Sequence, residues 1–165
     1  MSRGTGWTKE QLENHPKRES LLKGSVVPQR MVKTFCFAMR CNPMGKPRMT
    51  QRDKWQKRPV VIRYREFCDC LRERAAKVGF NPEWDCFAVK VKAYICMPAS
   101  WSKKKKERMN GKLVRTKPDW DNVGKAVCDA LFKEDAVLGG GSCWKRWCAN
   151  GDQRLVIWIK YLKRE

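Results

Sequence analysis

Negative charge is scarce in this sequence. Its 165 residues include 17 Asp and Glu against 37 Lys and Arg, which gives a formal net charge of +20. Such an excess creates a positive field suited to phosphate backbones or to anionic membrane surfaces. No apolar run approaches the ~20 residues that span a bilayer, and the polar N-terminus lacks the apolar segment of a signal peptide. We therefore expect a cytoplasmic protein that binds nucleic acid and no membrane; the alternative is a basic protein that is merely soluble.

Histidine is almost absent, and cysteine lacks the spacing of a metal site. His15, the single histidine, lies in the N-terminal tail, and we give it no catalytic role. The nine cysteines include no C-x₂-C pair, the usual knuckle of a zinc site. Their odd number, without a secretion signal, indicates a reducing compartment. No zinc is expected, although the pairs Cys68/Cys70 and Cys143/Cys148 leave a metal role open.

The chain length suits one domain with a single core, preceded by a tail. Residues 1–30 show no sustained period and are expected to form a flexible extension, with the domain at 31–165. Apolar side chains recur at helical spacing over residues 60–78, and Gly79 fits the end of that helix. The remaining expected elements are strands at 32–39 and 87–95, a short basic helix from about Ser102, a helix from Asp121 to about Phe132, a break at Gly139–Gly141, and a hairpin of 143–148 with 153–162 around the Asn150-Gly151 turn.

Carboxylates gather in one segment of this basic chain. Residues 117–135 read KPDWDNVGKAVCDALFKED. Side chains two apart in an extended segment share a face, so Asp119 and Asp121 are expected to point the same way and Trp120 toward the core. Asp121 also suits the N-cap of the following helix.

Along that helix, Asp121, Lys125 and Asp129 recur at intervals of four on the face opposite an apolar stripe. Carboxylate oxygens are the ligands that Mg²⁺ prefers, and Mg²⁺ can promote phosphodiester hydrolysis beside a lysine that holds the phosphate. Asp135, just past the helix, could complete the metal shell. The alternative is a helix cap and a surface ion pair. A glycine at position 124 lowers stability in a first helical turn, and its missing side chain could let either DNA or the protein's own core approach the helix closely.

These residues resemble those of a known family. The pattern Lys-Pro-Asp-x-Asp-Asn-x-x-Lys-x-x-x-Asp-Ala-Leu from Lys117, the acid beyond it and Lys145-Arg146-Trp147 are similar to the RusA family of Holliday-junction resolvases. The segment 43–48 and the helix near Tyr64 resemble that family's N-terminal half. The resemblance covers about residues 33–162 and leaves 1–30 outside.

The resemblance implies a small α/β (α+β) homodimer with a mixed sheet and two main helices packed on it. It implies a phage or prophage enzyme that binds four-way DNA junctions and nicks two strands symmetrically with Mg²⁺, or with Mn²⁺ as a substitute. Asp119, Asp121 and Asp135 would hold the metal and Lys125 would be the catalytic lysine, with Asp129 as a possible additional acid. The chain departs from the family in its short link to the last acids, so Glu134 remains an alternative to Asp135.

Basic clusters are the expected DNA contacts, and Trp55 could stack on an unpaired base or instead anchor the core or a dimer. A non-catalytic DNA-binding module and a nuclease that prefers flaps or forks remain rival functions. The expected contacts are Lys46, Arg48, Arg52, Lys54, Trp55, Lys57, Arg58, Lys103, Lys104, Lys105, Lys106, Lys117, Lys145 and Arg146.

Overall fold

A four-stranded mixed sheet forms the centre of the computed structural model. The structure describes residues 31–55 and 58–162, except for the side chains of Lys54 and Asp135. The expected N-terminal extension with His15, and Lys57, lie outside these residues. The elements are β1 (Val32–Arg40), α1 (Pro59–Lys77), β2 (Asp85–Cys96), α2 (Lys103–Met109), α3 (Trp120–Leu131), β3 (Gly140–Cys148) and β4 (Arg154–Leu162), with 3₁₀ turns at Gln51–Lys54 and Asp135–Val137.

The strand order is β1-β4-β2-β3, with β2 and β3 parallel and the other pairs antiparallel. The predicted hairpin of β3 with β4 is therefore wrong, because β2 lies between them. A parallel pair needs a long crossover, which α2 and α3 supply between β2 and β3. The Asn150-Gly151 turn exists, with Gly151 at φ +87°, but it connects the edge strand β3 to β4 on the other side of β2.

The two main helices pack as their apolar periods predict. Helix α1 begins at Pro59, and the positive φ of Gly79 (+89°) follows its end. Its buried face meets β1 and α3, while α3 covers β2 and β3. The α3 stripe that enters the core consists of Val123, Ala126, Val127, Ala130 and Leu131.

Helix α3 begins earlier than predicted. Asp119, not Asp121, occupies the N-cap, and Trp120 is the first helical residue. Trp120 is 59% exposed, so its predicted burial is wrong as well. Trp120 stands three residues before Val123, on the side of the apolar stripe, but as the first residue of the helix it lies beyond the core and stays exposed. The expected break at Gly139–Gly141 is also displaced, since Gly140 already belongs to β3.

The short basic helix α2 forms where predicted. Ser102 is its N-cap, and its hydroxyl accepts a hydrogen bond from the Lys105 amide at 3.4 Å. A small second core of Met97, Val114 and Trp147 lies nearby. None of the helices in the described part of the chain is long and apolar enough to cross a membrane.

Candidate active site

Two exposed carboxylates stand at the N-terminal end of α3. The backbone of Asp119 is extended (φ −66°, ψ 146°), and its carbonyl accepts the Val123 amide at 3.1 Å, but its side chain makes no capping bond. Asp121 follows in the first turn and is exposed. The ion pairs among the described residues involve other acids. Both carboxylates therefore present hard oxygen donors to solvent, where the helix dipole also favours negative charge.

The two carboxylates open into adjoining hollows rather than one pocket. Asp119 lines a groove of about 800 Å³, and Asp121 lines a smaller hollow of about 370 Å³. Trp120 and the start of β3 border both. Residues 31–55 and 58–162 contain no cluster of three potential metal-binding side chains. The Asp135 side chain is not among those described, so its part in a metal site stays a prediction.

Lys125 and Asp129 continue the same helix face, as their spacing predicts. Lys125 Nζ lies 3.7 Å from an Asp129 oxygen, and Lys125 also lines the hollow of Asp121. Asp129 is held by two further donors: Lys46 Nζ at 2.6 Å and the Tyr64 hydroxyl at 3.1 Å. Its carboxylate is thus occupied by protein groups, unlike those of Asp119 and Asp121.

Tyr64 is a member of this site that the sequence did not reveal. Its ring belongs to the buried face of α1, and the apolar period of that helix does not distinguish a packing tyrosine from one whose hydroxyl has a distant partner. Burial raises the pKa of Tyr64 well above its usual range, and the nearby Cys68 and Asp129 raise it further. The Tyr64 hydroxyl therefore keeps its proton and donates a hydrogen bond to Asp129.

A basic cavity of about 780 Å³ is lined in part by Tyr64 and Asp129. Lys125 joins the cavity to the hollow of Asp121, since it lines both. Arg65 and Arg72 had not been singled out from the sequence, although their seven-residue spacing places both on one face of α1. Five basic and three acidic side chains line the cavity, and Asp69 and Asp129 are paired with basic ones. The net positive charge that remains is suited to phosphate groups. The basic side chains that line the cavity are Lys46, Arg65, Arg72, Lys125 and Lys133.

The comparison with known families decides the assignment. A model of the endodeoxyribonuclease RusA matches residues 40–160, most of the chain. The chain belongs to the RusA endodeoxyribonuclease family. The match confirms the family resemblance seen in the aspartate motif. The matched residues include α1, α3 and all the residues that line the hollows described above. A search of curated proteins returned no match.

In this RusA-family chain, the segment before α1 docks on α3. The Lys46 amide donates to the Asn122 carbonyl at 3.1 Å. A Cβ at Gly45 would lie 3.1 Å from the Asn122 Cβ and 3.4 Å from that of Pro118. Glycine thus permits a close approach that brings Lys46 to Asp129. Gly124, by contrast, faces Cys143 of β3, and a Cβ at this position would lie 3.4 Å from the Cys143 Cβ, an ordinary packing distance.

The rest of that loop is built around a buried carboxylate. Asp53 is 6% exposed, and its two oxygens accept from Arg58 at 2.5 and 2.6 Å. The Arg58 side chain and the Thr50 amide hold the pKa of Asp53 well below its usual range. The guanidinium of Arg58 is therefore used within the protein, whereas the Trp55 indole is 82% exposed. Arg48 and Arg52 are exposed as well.

Lys145 occupies a different place from the one its charge suggested. It is 8% exposed, and its Nζ donates to the carbonyls of Thr116 and Pro118, each at 2.5 Å. Its charge thus holds the segment that leads to Asp119. Arg146 donates to the Gly111 carbonyl at 2.7 Å.

The remaining expected contacts of this RusA-family chain are mostly open to solvent. Lys117, Lys103 and Lys104 are exposed. Lys105 lies over the Trp101 ring, 4.3 Å from its centroid, and Lys106 donates to the Ala99 carbonyl at 3.1 Å. Lys105 and Lys106 therefore make contacts near α2, whereas Lys103 and Lys104 are exposed and have no such contact among the described residues.

Proposed function

We propose that this chain is a Mg²⁺-dependent, structure-selective endodeoxyribonuclease that resolves Holliday junctions by paired symmetric cleavage in DNA recombination and repair. The proposal rests on the exposed carboxylates of Asp119 and Asp121 at the start of α3. The Asp119 side chain makes no capping hydrogen bond, and both residues belong, with Lys125, to the RusA-family motif. The helix dipole favours carboxylates at this end of α3, but it does not explain why both stay open to solvent on a chain with net charge +20 that binds DNA. A bound cation that faces the DNA would explain it.

The donors at this site fit a hard divalent cation. Asp119 and Asp121 would supply carboxylate oxygens, and Asp135, or Glu134 in its place, is expected to complete the shell. When bound, Mg²⁺ supplies charge stabilisation at the phosphoryl group and lowers the pKa of water toward neutrality. Mn²⁺ would substitute because it accepts the same oxygen donors.

The chain's own groups would position the phosphate. Lys125, whose side chain is 48% exposed, borders both the Asp121 hollow and the basic cavity. Its ammonium group can hold a non-bridging oxygen of the scissile phosphate or stabilise the leaving oxygen. The amides at the start of α3 favour the same anion. Asp129, anchored by Tyr64, keeps Lys125 and Lys46 close to each other at the cavity.

The DNA backbone would continue through the basic cavity. Arg65, Arg72 and Lys133 would neutralise phosphates there. Trp55, on the loop anchored by Asp53, would stack on a base exposed at the branch point. Lys103, Lys104 and Lys117 offer further cations outside the cavity.

A homodimer would account for symmetric cleavage. A four-way junction needs paired cuts, and a two-fold protein supplies two identical sites. The expected setting is a bacterial host cytoplasm, with a phage or prophage as the source.

The test is a cleavage panel. Four-way junction, replication fork and linear duplex are compared at fixed salt, with and without Mg²⁺. Wild type is expected to nick the junction in opposed strands only when Mg²⁺ is present. Asp121→Asn is expected to bind the junction as tightly as wild type and to lose cleavage by at least about 100-fold, the scale set by loss of a transition-state charge stabiliser.

Glu73→Gln is the matched control, since it removes a carboxylate that is 70% exposed and that pairs with Lys77 on the surface of α1. Its cleavage rate should equal that of wild type. Full cleavage by Asp121→Asn would refute the assigned site. Wild-type protein that binds but never nicks branched DNA would indicate a DNA-binding module, and faster cutting of forks would change the assigned substrate.

A further inference from the structure

The groove beside Asp119 exposes more apolar surface than a metal site requires. Trp120 is 59% exposed, Trp144 47% and Leu113 43%, and all three line this one groove of about 800 Å³. They are three of the nine large hydrophobic side chains that are exposed in the described part of the chain. Exposed apolar surface that is concentrated in this way marks a binding site.

Strand alternation accounts for one of the two indoles. In β3, Lys145 and Trp147 share one face and are buried, whereas Trp144, directly before Lys145, lies on the opposite face and is exposed. Trp120 is placed there by its position as the first residue of α3, between the two exposed aspartates. Neither indole has a core position, so their shared groove is open to a ligand.

The polar rim of the groove indicates which ligand fits. Arg115 and Lys117 line it and are both exposed. Lys145 also lines it, but its ammonium group is already bound to two backbone carbonyls. The rim therefore presents cations for phosphate around flat aromatic faces, which is the combination that binds single-stranded nucleic acid by base stacking.

We infer that the groove binds one unstacked nucleobase of the DNA strand that is cut, next to the scissile phosphate. The base would lie against Trp144 and Trp120, with its flanking phosphates on Arg115 and Lys117. This inference rests on the proposed function, since Asp119 at the edge of the groove places the base beside the cleavage site. The groove would therefore favour strands whose bases can unstack locally, as they can at a branch point.

A second copy of this chain fits the groove less well. In a two-fold interface the same patch packs against itself, so the two rims that carry Arg115 and Lys117 would be brought close together. Like charges brought together in this way oppose association. DNA complements the rim, whereas another +20 chain does not.

The experiment measures binding without cleavage, in EDTA, so that it does not depend on the metal. A four-way junction is prepared with a single abasic site at each position in turn around the cleavage point. Wild type is expected to lose about 5- to 100-fold in affinity at one position, the scale of one stacked base. Trp144→Ala should bind the intact junction that much more weakly and lose nothing further at that abasic position. Trp144→Phe, which keeps an aromatic face, should recover most of the affinity.

Trp158→Ala is the matched control, because that indole lines a different hollow. Trp158→Ala should lose as much junction affinity as wild type at the sensitive abasic position. Trp120→Ala should behave like Trp144→Ala, and circular dichroism should show all four variants folded. The inference is overturned if every abasic position affects Trp144→Ala and wild type equally. It is also overturned if Trp144→Ala instead dissociates a dimer in sedimentation velocity. Wild type that shows the Trp144-dependent abasic effect but never cleaves with Mg²⁺ would refute the proposed function and leave the base site standing.

Discussion

The contact between Lys46 and Asp129 is predicted to be a substantial contributor to the stability of the site. The Lys46 Nζ lies 2.6 Å from the Asp129 carboxylate, and the two side chains are only 32% and 22% exposed. Fully exposed ion pairs contribute about 0–1 kcal/mol, whereas loss of one partner of a buried pair costs about 3–5 kcal/mol. A partly buried, short, charge-assisted hydrogen bond lies between these limits. We expect a coupling free energy of about 1–2 kcal/mol.

The assay is a double-mutant cycle in urea. Wild type, Lys46→Met, Asp129→Asn and the double variant are unfolded at pH 7, and the free energies of unfolding are compared. Asparagine keeps an acceptor for the Tyr64 hydroxyl, so the cycle isolates the ionic contact. Asp129→Asn leaves the Lys46 charge without this carboxylate, whereas Lys46→Met leaves Asp129 with Lys125 and Tyr64, so Asp129→Asn should be the more costly of the two single variants.

A surface pair on α1 is the control for this cycle. Lys77 and Glu73 lie 3.7 Å apart with exposures of 72% and 70%, and their coupling should stay below about 0.5 kcal/mol. A Lys46–Asp129 coupling that is no larger than the control would refute the reasoning. It would mean that the docking of the loop on α3 depends on the Gly45 approach and the backbone bond, not on this contact.

Three further predictions concern the framework of the site. Lys145→Met should lower the free energy of unfolding by about 2–3 kcal/mol in urea, because the carbonyls of Thr116 and Pro118 lose a buried charged donor. An unchanged urea midpoint would contradict this role of Lys145. Arg58 lowers the pKa of Asp53 in the folded protein, so the stability advantage of wild type over Asp53→Asn should be full above about pH 4 and should fall as the pH drops further. Thermal melts of both proteins from pH 5 to pH 3 measure this stability advantage. An advantage of wild type that grows as the pH falls would contradict the lowered pKa of Asp53. Gly45→Ala should destabilise the fold by steric contact, whereas Gly124→Ala, whose Cβ would meet only Cys143 at 3.4 Å, should be neutral or stabilising by up to about 1 kcal/mol; the reverse order in urea would contradict both placements.

Local elements were predictable because they depend on near neighbours in sequence. The α1 and α3 stripes follow from apolar side chains three and four apart, and the capping serine of α2 stands directly before its helix. The face that carries Asp121, Lys125 and Asp129 follows from the same period. Strand partners could not be derived in this way. The Asn150-Gly151 turn is typical of a hairpin, but β2 is the partner of both β3 and β4, and only the packed sheet decides that.

The chemistry available to this protein follows from its amino-acid sequence alone: a basic chain that gathers carboxylates and a lysine along one helix and at its N-cap. Tertiary structure decided how each of those groups is used. Tyr64 lies 65 positions from Asp129, and no local period links them. Lys145 looks like any basic surface residue in the sequence, yet burial gives its charge to the backbone before Asp119. Charge and periodicity belong to each segment alone, whereas burial and partnership arise only when distant segments pack. For that reason the same Asp-x-Asp motif has two open carboxylates, while Asp129, on the same helix face, is held by its neighbours.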